Sequence, residues 1–278
     1  MNPTHHHPDF IVARRPMIDM IDAGIAFYRA SYQTVTLIVL AFYLPLFIIK
    51  YFFFQFDFIP IERVFNSFSF FQTGSYTPEN TVLVVLDGIA NSITGGTICL
   101  FLFEKAKGRE IGVLLLIKKI AGRIGTLLWI TAITALVTLI GLGFCFFPGV
   151  WIGIIFLFST QLVIIENVIS VNTLWNRSRY LVMSEWWRVL VYFALTTLLL
   201  FVLGLSLTFL ISGAYEILLE QLSWLTGLIP DLKMIEIAGG AVASLLLIPM
   251  QVIFITILYF DVRSRKEGFD LEMMLQSI

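Results

Sequence analysis

Long unbroken runs of apolar residues, rather than alternating apolar and polar positions, dominate this chain of 278 residues. About 20 apolar residues in a helix cross the hydrocarbon of a membrane, and a helix satisfies its own backbone hydrogen bonds there. Membrane-spanning strands would alternate instead. The pattern therefore predicts an all-α, polytopic integral membrane protein with six transmembrane helices, at residues 34–54, 81–103, 124–145, 149–170, 189–214 and 237–260.

The composition agrees with this fold class. Hydrophobic residues make up 58% of the chain and charged residues only 13%. A soluble domain of this size could not bury so much apolar surface. The stretches outside the spans are also too short to fold on their own. We therefore predict one membrane domain between two cytoplasmic tails, with the chain divided into residues 1–33, 34–260 and 261–278.

Lysine and arginine residues give the expected orientation of the six spans. The two termini and the second and fourth loops share one side, and that side carries fifteen of the eighteen Lys and Arg residues. The other side carries only Lys50, Arg63 and Lys233. Because positive charge concentrates in cytoplasmic loops, we expect both termini in the cytoplasm.

Three segments on the basic side combine apolar and charged residues at helical spacing, which predicts short interfacial helices. They are residues 17–30, 107–123 and 173–188, and the last contains Trp175, Trp186 and Trp187. Two interpretations are open for them. They are either ordinary connections at the ends of spans or a platform that binds anionic lipid or a protein partner.

Polar side chains within the spans are candidate functional groups, because each is costly in lipid unless it is paired. In the second span Asp87 and Asn91 share one helical face, beside the small residues Gly88, Ser92 and Gly96. Asp87 either bonds to a neighbouring helix, with Lys50 as a candidate partner, or forms a proton or cation site. The small residues predict close helix packing.

A second polar group is expected nearer the cytoplasm. It consists of Gln161 and Glu166 on the fourth span and Gln251 on the sixth. Glu166 lies close in sequence to three arginines beyond the span, so we predict a salt bridge that holds the following segment against the bundle. The candidate arginines are Arg177, Arg179 and Arg188.

Motifs of known enzyme classes are not found in the sequence. It contains no HExxH, GxSxG or Walker-type phosphate loop, and each of these patterns places specific ligands or nucleophiles. We accordingly expect no catalytic site, no cofactor, no metal and no nucleic-acid partner.

Two stretches do resemble a known group of proteins. They are residues 147–190, which include NRSRYLVMSEWWR, and residues 258–274, which include FDVRSRKEGFD. With residues 21–45 they resemble a bacterial six-helix membrane family that includes the membrane domain attached to some glycerophosphoryl diester phosphodiesterases. The more specific positions are Pro148, Gly149, Glu166, Arg177, Ser178, Trp187, Arg263, Glu267, Gly268, Phe269 and Asp270.

The resemblance implies an architecture of six helices in the inner membrane of a bacterium, with cytoplasmic termini. It implies no reaction, because the phosphodiesterase domain that carries that activity has no counterpart in these 278 residues. In the C-terminal tail we expect Arg265, Glu267 and Asp270 to fold back onto the basic loops, with the turn at Gly268.

Three functions follow as hypotheses. The first is a non-catalytic scaffold or accessory subunit of a membrane complex, which contacts membrane lipids and a protein partner or a second copy of itself. The second is a carrier or channel for a lipid or small solute, which would use Asp87 and the group of Gln161, Glu166 and Gln251. A membrane enzyme comes third.

Overall fold

The computed structural model of the protein describes residues 15–54, 78–221 and 232–269. All regular structure in these ranges is helical, and six helical segments are long and apolar enough to cross a membrane. The helices are α1 Met17–Phe54, α2 Pro78–Ala106, α3 Val113–Ala121, α4 Ile124–Phe144, α5 Phe146–Ile155, α6 Ser159–Ile165, α7 Val171–Met183, α8 Trp186–Gln221 and α9 Leu232–Glu267. A 3₁₀ turn, Phe156–Phe158, joins α5 to α6.

The six segments form a bundle in which α2, α5–α6 and α9 are central. Their spanning windows are 56%, 56% and 61% buried, whereas those of α4 and α8 are only 22% and 18% buried. Helix α9 packs against α8, α1 and α2, and α4 packs against α5. The two peripheral helices therefore expose most of their apolar surface, as a lipid environment permits.

The first helix differs from the sequence-based expectation. We expected a separate interfacial helix at residues 17–30, but α1 runs without a break from Met17 to Phe54. Met20 and Phe27 of that segment are buried in the core, and a Cβ at Gly24 would lie 2.6 Å from the Phe254 ring. The apolar face of the segment packs against α9, and no proline breaks the helix before Pro45.

The fourth span is shorter than the predicted range of 149–170. Helix α6 ends at Ile165, because Asn167 has a left-handed backbone conformation with φ of 56°. The N–H of Val168 then bonds to the carbonyl of Leu162 at 3.2 Å, which closes the helix end. The carbonyl of Ile155, which lies in this span next to the 3₁₀ turn, accepts a hydrogen bond from the hydroxyl of Ser178 on α7.

A tight hairpin joins α4 to α5, as the sequence predicted. Only Cys145 separates the two helices. A Cβ at Gly149 would lie 2.6 Å from Leu142 Cα, and one at Gly153 would lie 3.4 Å from Thr138. Both glycines therefore lie where the two helices approach each other closely. The close helix packing predicted at Gly88 is not found, because no described atom lies within 4 Å of a Cβ built there.

The charged end of the bundle as a candidate site

Most described charged side chains gather at one end of the bundle, which we call the charged end. Helix α1 begins there, α2 and α9 end there, and two connections cross it. We name these connections the first elbow, residues 104–123, and the second elbow, residues 166–188. Each contains one short helix, α3 or α7.

The predicted pairing of Glu166 with an arginine is present in the second elbow, and the partner is Arg177. Arg177 Nε donates to Glu166 Oε2 at 2.7 Å, and Nη2 donates to Oε1 at 3.0 Å. The same guanidinium group also donates to Glu267, with Nη2 at 2.8 Å from Oε2. One arginine on α7 thus joins the end of α6 to the end of α9.

Two further residues of α9 complete this network. Tyr259 OH donates to Glu166 Oε1 at 2.8 Å, and Arg263 Nε donates to Glu267 Oε2 at 3.1 Å. Arg263 also donates to the Tyr259 oxygen at 3.3 Å and lies 3.7 Å from Glu166. We call Glu166, Arg177, Tyr259, Arg263 and Glu267 the arginine lock.

Local sequence features explain why these side chains meet. Tyr259, Arg263 and Glu267 recur every four residues, so they share one face of α9. Helix α9 ends at Glu267. The next residue, Gly268, has φ of 67°, and its N–H donates to the carbonyl of Ser264 at 3.1 Å. The predicted turn at Gly268 is therefore confirmed.

The turn at Gly268 returns the chain onto the bundle. Phe269 is buried, and its ring stacks on Phe260 with centroids 5.9 Å apart. The Arg263 guanidinium lies 4.0 Å from the centroid of Phe269. Asp270, which the sequence placed in the same interaction, lies outside the described residues.

Electrostatics make the lock a stable structural contact. Hydrogen bonds from Arg177 to Glu166 and then to Glu267 raise the pKa of the Arg177 guanidinium above its ordinary value, against the opposing effect of burial. Arg177 therefore stays charged, and both carboxylates are engaged as acceptors.

A second cluster surrounds Asp261, which the sequence analysis did not single out. Asp261 is 1% exposed and accepts hydrogen bonds from Arg188 Nε at 2.9 Å and Arg265 Nε at 3.0 Å. The backbone N–H of Arg15 donates to it at 3.0 Å. The sequence analysis expected Arg265 and Glu267 to fold back onto the basic loops. Glu267 does contact Arg177 of the second elbow, whereas Arg265 bonds to Asp261 and to the carbonyl of Arg15. The four-residue spacing of Asp261 and Arg265 could have predicted their ion pair, because residues four apart are neighbours on a helix.

The first elbow holds one buried carboxylate, Glu104, which sequence reasoning also missed. Lys119 Nζ donates to Glu104 Oε1 at 2.6 Å. Arg109 Nη1 lies 3.8 Å from Oε2, within ion-pair range but too far for a hydrogen bond. Oε2 accordingly has no hydrogen-bond partner among the described residues.

The polar residues predicted within the spans do not gather in one place. Gln161 is buried and donates to Thr256 Oγ1 at 3.2 Å, whereas Gln251 on α9 is exposed. Asn91 is also exposed, and Asp87 is partly buried near Tyr43. Asp87 precedes Glu104 by 17 residues on α2, which places it about 25 Å away along the helix.

Comparisons with protein-family models, with curated proteins and with solved structures each found no match. The resemblance to the six-helix family therefore stays a prediction from the residues quoted above. Within the part of the chain that the structure describes, no group of three His, Cys, Asp or Glu side chains is placed to hold a metal ion.

Proposed function

We propose that this protein is a non-catalytic scaffold or accessory subunit of a membrane complex in the bacterial cytoplasmic membrane, with the charged end in the cytoplasm. The observation that carries the proposal is the arginine lock. Its charged groups bond to one another, and they fix the second elbow against the end of α9. These residues therefore have a structural role, which is to hold the surface of the second elbow in place, rather than a catalytic one.

The orientation rests on the distribution of positive charge. Eighteen Lys and Arg residues occur in the chain, and fifteen of them fall on the side of the charged end when six spans are drawn. Positively charged loops are retained in the cytoplasm during insertion. A scaffold with this orientation presents its second elbow to cytoplasmic or membrane-bound partners.

Large apolar side chains on and beside α7 give this surface a chemistry suited to a protein partner. Ile169, Tyr180 and Trp187 are 73%, 53% and 71% exposed. Aromatic residues are enriched at the centres of protein interfaces, where they bury large areas at small entropic cost. The lock holds the helix that carries Tyr180, so a partner would meet a preformed surface.

Native mass spectrometry after gentle extraction from the cell membrane tests this proposal. We expect a protein partner, or a second copy of the chain, at fixed stoichiometry. Trp187→Ala should reduce the occupancy of the partner. Trp129→Ala is the matched control, because Trp129 is similarly exposed, at 63%, but lies on α4, outside the second elbow. It should leave the occupancy unchanged. A chain recovered only as a monomer, or equal loss in both variants, would contradict a docking role for the second elbow.

A carrier or channel is the second candidate, and the buried Gln161 side chain is the observation that favours it. Its amide oxygen has no hydrogen-bond partner among the described residues, and the side chain lies between the central helices α6 and α9. A transported solute would supply one. Flux through reconstituted vesicles tests this function, with Gln161→Leu and Asp87→Asn as variants. Flux retained in both variants would remove these residues from such a path.

A further inference from the structure

The first elbow carries a marked excess of positive charge. Residues 104–123 contain six Lys and Arg side chains and two glutamates, which leaves a net charge of +4. One glutamate, Glu104, is buried and bound by Lys119, and the other, Glu110, is exposed. The described carboxylates of this elbow therefore neutralise only part of its charge.

The cations of this elbow lie close enough to act together. Gly108 has φ of 70°, and its N–H bonds to the Lys105 carbonyl at 3.0 Å, which turns the chain at the end of α2. Burial lowers the pKa of Lys107; Glu104 opposes this effect, and the charges of Arg109 and Lys119 add to it. Arg109 and Lys119 lie 3.8 Å and 2.6 Å from oxygens of the same Glu104 carboxylate, so these two cations are close to each other as well.

The short helix α3 adds apolar side chains next to these charges. Leu116 and Ile120 are buried in the core, whereas Leu114 is 83% exposed and Leu115 is 50% exposed. Lys118 lies one turn beyond Leu114 on the same exposed face, because residues four apart are neighbours on a helix. The exposed face therefore changes from apolar to basic within about 6 Å.

We propose that the first elbow binds the phosphate-bearing headgroup of an anionic membrane lipid. The exposed side chains of Arg109 and Lys118 supply positive charge for the phosphate, and the exposed Leu114 and Leu115 supply contacts for the first carbons of the acyl chains. The inference deepens the proposed function by naming a ligand. It requires no protein partner.

Position and charge both favour a lipid over other anions. The elbow joins two membrane-crossing segments, one ending at Ala106 and the other beginning at Ile124, so it lies where headgroup phosphates lie. A phospholipid carries its phosphate next to apolar carbon, as the exposed face of α3 requires. Basic surfaces at the ends of spans attract anionic lipid, with about 1 kcal/mol from each Lys or Arg near the membrane.

The test uses purified protein alone in detergent with an equimolar mixture of phosphatidylglycerol and phosphatidylcholine, followed by native mass spectrometry. The wild-type chain should retain phosphatidylglycerol preferentially. The double variant Arg109→Gln with Lys118→Gln should lose this preference by on the order of tenfold. A matched control, Arg29→Gln with Arg179→Gln, removes the same charge from exposed positions outside the elbow and should keep the preference.

Three outcomes would overturn the inference. They are no preference in the wild type, a preference retained in the elbow variant, or equal losses in the elbow and control variants. Addition of inorganic phosphate separates the two sources of the anion. Displacement of phosphatidylglycerol by inorganic phosphate would assign the site to free phosphate instead, whereas lipid retention supports the acyl contacts. Because no partner is present, failure here leaves the scaffold proposal standing.

Discussion

The two elbows have similar positions and different electrostatics. Each crosses the charged end between two spans, and each contains one short helix packed on the core. In the second elbow Arg177 and Arg188 bind carboxylates of α9, namely Glu267 and Asp261. In the first elbow, Glu104 on α2 is the buried acceptor for Lys119. Acidic residues of α9 therefore bind the arginines of the second elbow and fix it to the bundle, whereas the first elbow keeps an excess of positive charge.

This difference teaches that basic residues at the end of a span have no single role. Positive-inside statistics treat all of them alike. The structure separates basic residues that bond to carboxylates of another helix, such as Arg177 and Arg188, from exposed ones, such as Lys118. The predictions below test that separation.

Replacement of Arg177 should have the largest effect. Arg177→Met leaves Glu166 and Glu267 with Arg263 as their remaining cation within the lock, and breaking a largely buried ion pair costs about 3–5 kcal/mol. We expect a large fall in the thermal unfolding midpoint in detergent. Arg179→Met, at an exposed position on the same helix, is the control. Similar midpoints in the two variants would contradict the lock.

Loss of the Ser178 hydroxyl should have the next largest effect. Ser178 is fully buried and donates to the carbonyl of Ile155 beside the 3₁₀ turn. Ser178→Ala leaves this carbonyl without that donor, at a cost of about 1–3 kcal/mol. Unfolding midpoints compare it with Ser184→Ala, an exposed serine at the end of α7. An unchanged midpoint for Ser178→Ala would show that the carbonyl finds another donor.

Two glycines with positive φ among the described residues allow a comparison of the first elbow with the arginine lock. Gly108→Ala and Gly268→Ala each place a side chain in the left-handed conformation, at a cost of about 1–2 kcal/mol. Only Gly268→Ala should also disturb the lock, because Phe269 follows it and contacts Arg263. We therefore expect Gly268→Ala to have the lower unfolding midpoint.

Gly112→Ala is the control for this pair, since its φ is −68° and open space surrounds it. It should be neutral. If Gly108→Ala had the lower unfolding midpoint, the second elbow would not be the more tightly coupled of the two.

Removal of Lys119 should have the smallest effect. Its side chain is 42% exposed, and exposed ion pairs contribute about 0.2–1 kcal/mol. Lys119→Gln should therefore lower the unfolding midpoint slightly, and added salt should reduce the difference from wild type. If Lys119→Gln lowered the unfolding midpoint as much as Arg177→Met, the contact of Lys119 with Glu104 would stabilise the protein as strongly as the arginine lock.

Much of the lock was predictable because its first pair is local. Glu166 and Arg177 are 11 residues apart, and one turn and the first half of α7 separate them. The turn at Gly268 was predictable for the same reason, since a helix end depends on a few adjacent residues. The role of Glu267 was foreseen only as a general contact with the basic loops.

The errors in prediction have a common physical cause. Residues 17–30 look amphipathic, and such a pattern suits either a membrane surface or a protein core. The structure places the apolar face against α9, so that the segment becomes the start of α1. Asp261 escaped notice because one of its partners, the backbone of Arg15, is 246 residues away.

The sequence by itself determined that the described chain is helical and contains six segments able to cross a membrane. Hydropathy over about 20 residues is a local property, and lipid leaves a helix little alternative. Only the tertiary structure decided which charges neutralise one another. Asp261 and Glu267 lie on α9, and packing brings them to the second elbow rather than the first. That choice depends on contacts between distant segments, which no local pattern encodes.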